Sequence, residues 1–192
     1  MYDITIRAAQ LSDAPIIAKV VAMAIGDEVA LNDYCGENYI DVLTEIARTE
    51  ATQYCWQNAI IAECNGIVAG AIVGYDGAQL EPLREGTFNI LRNTIGRVPT
   101  IAAETAAGEY YLDPLAAMPP LRGKRVGLRL THALRAPASS EGHERVGLIV
   151  DTDNPTAERL YTSQGFKRVG ERIFFGHKMH HLQRRTNKEG VQ

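Results

Sequence analysis

A chain of 192 residues, 45 % apolar and 22 % charged, fits one globular domain with a core of its own and excludes a disordered segment. Its formal net charge of −3 argues against a nucleic-acid binder, which needs a basic face, and no apolar run approaches the roughly 18 residues that span a bilayer. Cys35, Cys55 and Cys64 are odd in number and lack metal-type spacing, which suits free thiols in a reducing compartment; the start of the chain has no signal-peptide pattern, so a cytoplasmic protein is expected.

Ile4, Ile6 and Ala8 alternate with polar neighbours, the period-2 pattern of a half-buried strand. Ser12 is placed to cap a helix with Pro15 in its first turn. Ile16, Val20, Met23 and Ala24 share one face of it, and Gly26 is its stop. An acidic loop with Asp27, Glu28, Asp33 and Glu37 is expected next, then a helix from Asn38 with Tyr39, Val42, Leu43 and Ile46 at helical spacing. Residues 59–63 and 67–75 are apolar runs joined by Asn65-Gly66, the strongest short-range hairpin signal. Leu80, Leu83, Ile90 and Leu91 predict a helix over 79–92, and 93–108 reads as a loop.

The second half changes rhythm. A strand over 110–117 runs into Pro119-Pro120 and a basic, glycine-containing segment. A helix with Val126, Leu130 and Leu134 on one face follows, then a strand over 146–150, a helix opened by Asn154-Pro155, a short segment 166–169 and a last strand around 174–182. This alternation implies some parallel pairing, so the sheet is mixed. One domain is expected over 1–182, with a polar, frayed tail at 183–192.

Two blocks carry the chemistry. The first, residues 115–128, ends a strand and opens a helix amid Gly123, Gly127, Arg122, Lys124 and Arg125. Helix N-termini present unsatisfied N–H groups and the positive end of the dipole, so such a turn suits a phosphate. Taken alone, it reads equally well as a helix capped by a basic, solvated turn. The second, residues 150–166, caps a helix with Asn154, places Pro155 at its first position and ends it at Gly165. There Tyr161 shares a face with Ala157, Leu160 and Gln164, as a core aromatic also would.

Together the blocks resemble the GNAT N-acetyltransferase superfamily. Its strand-ending triplet is met by Leu115-Ala116-Ala117, and its Arg/Gln-x-x-Gly-x-Gly/Ala pyrophosphate loop by Arg122-Gly123-Lys124-Arg125-Val126-Gly127. Its Asn-x-x-Ala-x-x-Leu-Tyr-x-x-x-Gly-Phe helix is met at Asn154, Ala157, Leu160, Tyr161, Gly165 and Phe166. The match covers roughly residues 109–171, and Arg125 stands where the loop has its first glycine. The resemblance implies an α/β fold of the GNAT acyl-CoA N-acyltransferase type, with a mixed, mostly antiparallel sheet of about six or seven strands and helices on both faces. It implies an acetyl-CoA co-substrate and a primary amine acceptor, a small molecule or peptide, attacking directly in a ternary complex.

By the same resemblance, Leu115, Ala116 and Ala117 pair with the pantetheine arm. The backbone from Gly123 through Lys124, Arg125, Val126 and Gly127 to Leu128, with Arg122, holds the pyrophosphate; Asn154 touches the cofactor and Tyr161 protonates the departing thiolate. A base is also required, and Glu109 ranks first, Asp113 second and Glu104 third. Pro114 beside Asp113 suggests a bulge. His177, His180 and His181 alternate across a strand, poor metal-ligand geometry, so no metal is expected. Nucleic-acid and membrane partners are not expected, and pairing of the last strand with a second copy stays open. The rival reading is an acetyl-CoA-binding regulatory module without turnover, which Arg125 favours. A nucleotide-binding domain is disfavoured by the lack of a Gly-x-x-x-x-Gly-Lys-Ser/Thr segment.

Overall fold

The computed structural model describes residues 3–186. Seven strands form one sheet: β1 (Ile4–Ala8), β2 (Ala59–Cys64), β3 (Ile67–Asp76), β4 (Tyr110–Ala117), β5 (Arg145–Asp151), β6 (Lys167–Phe174) and β7 (His177–Arg185), in the order β1-β2-β3-β4-β5-β7-β6. Every neighbouring pair is antiparallel except β4–β5. The mixed, mostly antiparallel sheet expected above is therefore present.

Period-2 alternation gives the sheet two apolar faces. Ile61, Ala71, Val73, Tyr75 and Tyr111 point to one, covered by α1 (Ala14–Ile25), α2 (Glu28–Cys35), α3 (Tyr39–Arg48) and α4 (Leu80–Ile95). Ala62, Ile72, Leu112, Val146, Leu148 and Val150 point to the other, covered by α5 (Val126–Ala133), α6 (Arg135–Ser140) and α7 (Pro155–Thr162). Among the described residues no helix is long and apolar enough to cross a membrane.

Several sequence expectations need correction. Ser12 does not cap α1: a single 3-10 turn, Leu11–Asp13, precedes it, and Asp13 accepts the Gln10 N–H while pairing with Arg7. The acidic loop is largely helical, because Asp27 caps α2 by accepting the Ala30 N–H and Leu31, Tyr34 and Cys35 bury one stripe of it. The short helix α6 was not foreseen. Strand β6 runs on to Phe174, and Phe175-Gly176, both at positive φ, turn the chain into β7. That last strand includes residues 183–185, which were expected in a frayed tail; residues 187–192 lie outside those described.

Helix α4 packs tightly where it meets the turn before β2. A Cβ on Gly86 would lie 2.1 Å from the backbone oxygen of Ala51, and backbone cannot swing aside as a flexible side chain can. Gly86→Ala is therefore expected to cost about 1–3 kcal/mol through forced separation of the two segments. Urea unfolding would check it, and unchanged stability would refute the close approach.

Candidate active site

The site is built on a split in the sheet. Strands β4 and β5 pair only through Tyr110–Val146 and Tyr111–Gly147. Beyond that point they part. Against β3, Ile72 faces Leu115 but Gly74 faces Leu112, so β4 carries one extra residue, a bulge at Asp113-Pro114. Proline cannot donate to the ladder, which is why the bulge falls there. Past the bulge, the Met118 N–H returns to β3 by donating to the Ala69 carbonyl. By alternation the polar groups of Leu115 and Ala117 face the other way, into the gap, and the Ala117 carbonyl there accepts a hydrogen bond from Arg122 Nε.

The gap leads to the start of α5. Gly123 and Arg125 both adopt the left-handed conformation, with φ of 75° and 65°, and curl the chain so that the first N–H groups of α5 face outward. The first turn of a helix leaves such N–H groups without intrahelical partners, and Arg122, Lys124 and Arg125 are exposed around them. Arg125 takes the glycine conformation at a cost of about 1 kcal/mol. Arg125→Gly is therefore expected to raise stability by about 0.5–1 kcal/mol, less than the full strain because glycine also loosens the unfolded chain. Chemical denaturation measures it, and a loss of stability would show that the arginine side chain holds the loop.

Helix α7 closes the gap's far side. Asn154 caps it by accepting the Ala157 N–H at 3.0 Å, which leaves its NH2 for any ligand. A Cβ on Gly127 would lie 3.3 Å from Leu160 Cδ2 and 3.5 Å from Leu115 Cδ2, so α5, α7 and β4 converge at one point. Next to Leu160, Tyr161 stacks edge-on against Phe166 at 5.7 Å and belongs to the buried apolar cluster that includes Leu112, Val126 and Val150. Burial pushes its phenol up to about 12, and its hydroxyl has no hydrogen-bond partner among the described residues.

The acetyltransferase (GNAT) family model matches residues 31–166. The chain belongs to the GNAT acetyltransferase family. A crystal structure described as that of an acetyltransferase is 31 % identical, with a TM-score of 0.81, and the match covers 95 % of this chain and all of that one. An N-acetyltransferase from Staphylococcus aureus Mu50 is 24 % identical over 93 % of this chain and 99 % of its own, with a TM-score of 0.77. A putative acetyltransferase, yncA from Salmonella typhimurium, was solved with its cofactor acetyl-CoA; it is 18 % identical over 98 % and 96 %, with a TM-score of 0.64. At those identities the last two share the fold alone. No curated protein matches the chain.

The candidate site has a second side, across the sheet from Tyr161. Asp113, on the bulge, is half-buried among Tyr34, Tyr54, Tyr75 and Tyr111 and accepts a hydrogen bond from the Tyr75 hydroxyl at 3.3 Å. Desolvation, then the nearby Glu104 charge, pushes its carboxyl up to about 7. Glu104 is buried, pairs with Arg84, and accepts from Gln53 Nε2 at 3.1 Å. Beside Glu104 a small pocket is lined by Tyr34, Gln53, Arg84, Phe174 and Phe175, and the Phe175 ring sits edge-on to Tyr34 at 6.0 Å.

Glu109 is placed elsewhere. It precedes β4 at the end where β4 and β5 are still paired, and it is 3 % exposed. There it accepts from His181 Nε2 at 2.8 Å, Gln183 Nε2 at 2.7 Å and Thr105 Oγ1 at 2.7 Å. Burial pushes its carboxyl up, but those three hydrogen bonds outweigh burial and hold it below the usual range. Gly147 makes the room: a Cβ there would lie 1.7 Å from Glu109 Oε2. Of the three histidines, His177 pairs with Asp151 at 3.1 Å, His180 with Glu158 at 3.2 Å, and His181 with Glu109. Among the described residues no group of three or more His, Cys, Asp or Glu side chains is disposed to hold a metal ion.

Proposed function

We propose that this GNAT chain transfers the acetyl group of acetyl-CoA to a primary amine of a small molecule or peptide, by direct attack in a ternary complex. One observation carries the reading. The parted edge of β4 lies between a phenol on the α5–α7 face and a carboxyl of raised pKa on the α1–α4 face. A thioester laid along that edge would have a donor beside its sulfur and a base beside the opposite face of its carbonyl.

Each residue then has a task. Backbone groups of Leu115 and Ala117 take the pantetheine amides as an added strand would, Ala116 lies between them, and the turn from Arg122 to Leu128 takes the pyrophosphate. Asp113 accepts the proton that the amine must lose, as the C–N bond forms and the C–S bond breaks. Tyr161 donates a hydrogen bond to the departing sulfur. Asp113 thus replaces Glu109 as the favoured base, because the oxygens of Glu109 are already held by three donors away from the parted edge.

The test is a titration with acetyl-CoA followed by thiol release over a panel of primary amines. Saturable binding and amine-dependent release are expected. Binding without release on any amine would favour a regulatory module, and no binding would end the reading altogether.

A further inference from the structure

A cavity of about 330 Å3 opens at the paired end of β4 and β5, away from the parted edge. The turn 106–108, Glu109, Arg145 on β5, Arg172 on β6, and His181 and Gln183 on β7 line it. Its volume is in the range of sites that hold small ligands.

The charge within it is unbalanced. Glu109 brings one negative charge, already met by the donors of Thr105, His181 and Gln183. Two guanidinium groups remain. Arg145 NH1 donates to Gln183 Oε1 at 3.1 Å, a neutral acceptor, and among the described residues neither Arg145 nor Arg172 forms an ion pair. Arg172 Nε is moreover shut off from solvent and has no hydrogen-bond partner among the described residues. A desolvated charged donor without an acceptor is costly, so a place that keeps one needs a reason.

The geometry points to a binding site for a small oxyanion, a carboxylate or phosphate group, held between Arg145 and Arg172 in this cavity. The guanidinium fork matches two oxygens of such a group, and an oxyanion there would give Arg172 Nε the acceptor it lacks. The Glu109–His181–Gln183 network forms the cavity floor and keeps a fully hydrogen-bonded carboxylate beneath the ligand. Binding at this cavity requires no turnover, so its failure is distinct from failure of acetyl transfer.

The experiment is isothermal titration of the whole chain with succinate and with inorganic phosphate, run in the presence of coenzyme A so that the α5 turn is occupied. At least one probe is expected to bind saturably at one site per chain, and Arg172→Gln and Arg145→Gln each to weaken it by about tenfold or more. Arg92→Gln, which removes an exposed charge on α4, is expected to leave it unchanged, and Arg172→Lys to give an intermediate loss with the fold checked by circular dichroism. Unaltered binding in the Arg145→Gln, Arg172→Gln double variant, or no saturable binding of either probe, would overturn the site. A comparison of two amines alike except for a carboxylate then identifies the source of the oxyanion. A KM rise confined to the carboxylate-bearing amine in Arg172→Gln places it on the acceptor, and an equal response of both amines makes it a separate ligand.

Discussion

Asp113→Asn is expected to lower kcat by roughly 10²- to 10⁴-fold while the affinity for acetyl-CoA stays close to that of the parent. The amine arrives as an ammonium and must shed a proton before or during attack. A carboxyl at its usual pKa would be a weak base at neutral pH, whereas one pushed up to about 7 by burial and by Glu104 is well matched to the task. The parent should therefore lose activity as pH falls through about 7, and the asparagine variant should lose that limb of its profile. Stability should move the opposite way. A folded-state pKa above the unfolded value means that folding favours the protonated carboxyl, so the benefit is full below the unfolded pKa near about 4 and is lost as pH rises through the folded value. At pH 8 the parent carries the whole cost of an ionised Asp113. The variant should then be the more stable by about 1–2 kcal/mol, a figure reduced from the full shift because the side chain is only half-buried, and the gap should close on acidification. A variant with unchanged kcat would remove Asp113 from the role of base.

Local chemistry made much of this fold readable. Asn65 and Gly66 take φ of 52° and 76°, as the Asn-Gly hairpin signal demands, and Asn154-Pro155 opens α7 with the cap bond its residue types predict. The bulge at Asp113-Pro114 followed from the missing N–H of proline alone. Helix α2 was missed because four of its eight residues, Glu28, Val29, Asn32 and Asp33, are polar or exposed, although Leu31, Tyr34 and Cys35, at i, i+3 and i+4, carried the signal. The end of β7 was taken for a tail because Gln183, Arg184 and Arg185 are polar, yet the strand lies inside the sheet, and Gln183 bonds both Arg145 and Glu109.

Sequence ranked Glu109 before Asp113 with little local signal to separate the two, and the reason is physical. Glu109 and Asp113 lie four residues apart on one stretch of chain, so local pattern treats them alike. What separates them is supplied from far away: His181 and Gln183 hold Glu109 from 72 and 74 residues along the chain, and Gly147 clears its place. Asp113 is set apart by Tyr75 and Glu104, and by the turn of chain that opens the sheet beside it. Arg125 is the converse case. Sequence marked it as a departure from the glycine of the loop, and the fold gives this arginine a left-handed φ of 65°, a conformation that glycine adopts freely.

Tyr161→Phe is expected to lower kcat by roughly 10²-fold or more, with acetyl-CoA binding little changed. The substitution deletes one oxygen and leaves the ring, so the edge-on contact with Phe166 and the place of the ring in its apolar cluster should survive. What it removes is a donor without a hydrogen-bond partner among the described residues. Complete transfer of its proton to a thiolate is uphill, since burial pushes the phenol up to about 12 and an ordinary cysteine-like thiol titrates near about 8.5. Tyr161 should therefore act by a hydrogen bond that tightens as charge gathers on sulfur in the transition state, an electrostatic contribution that needs no finished transfer. This makes a second, sharper expectation. The parent's kcat should show no fall from loss of the phenol proton between about pH 8 and pH 10, because the group stays protonated there. A tyrosine-dependent fall in that window would mean that the phenol ionises far more easily than its burial allows, and an unchanged kcat in the phenylalanine variant would take Tyr161 out of the reaction.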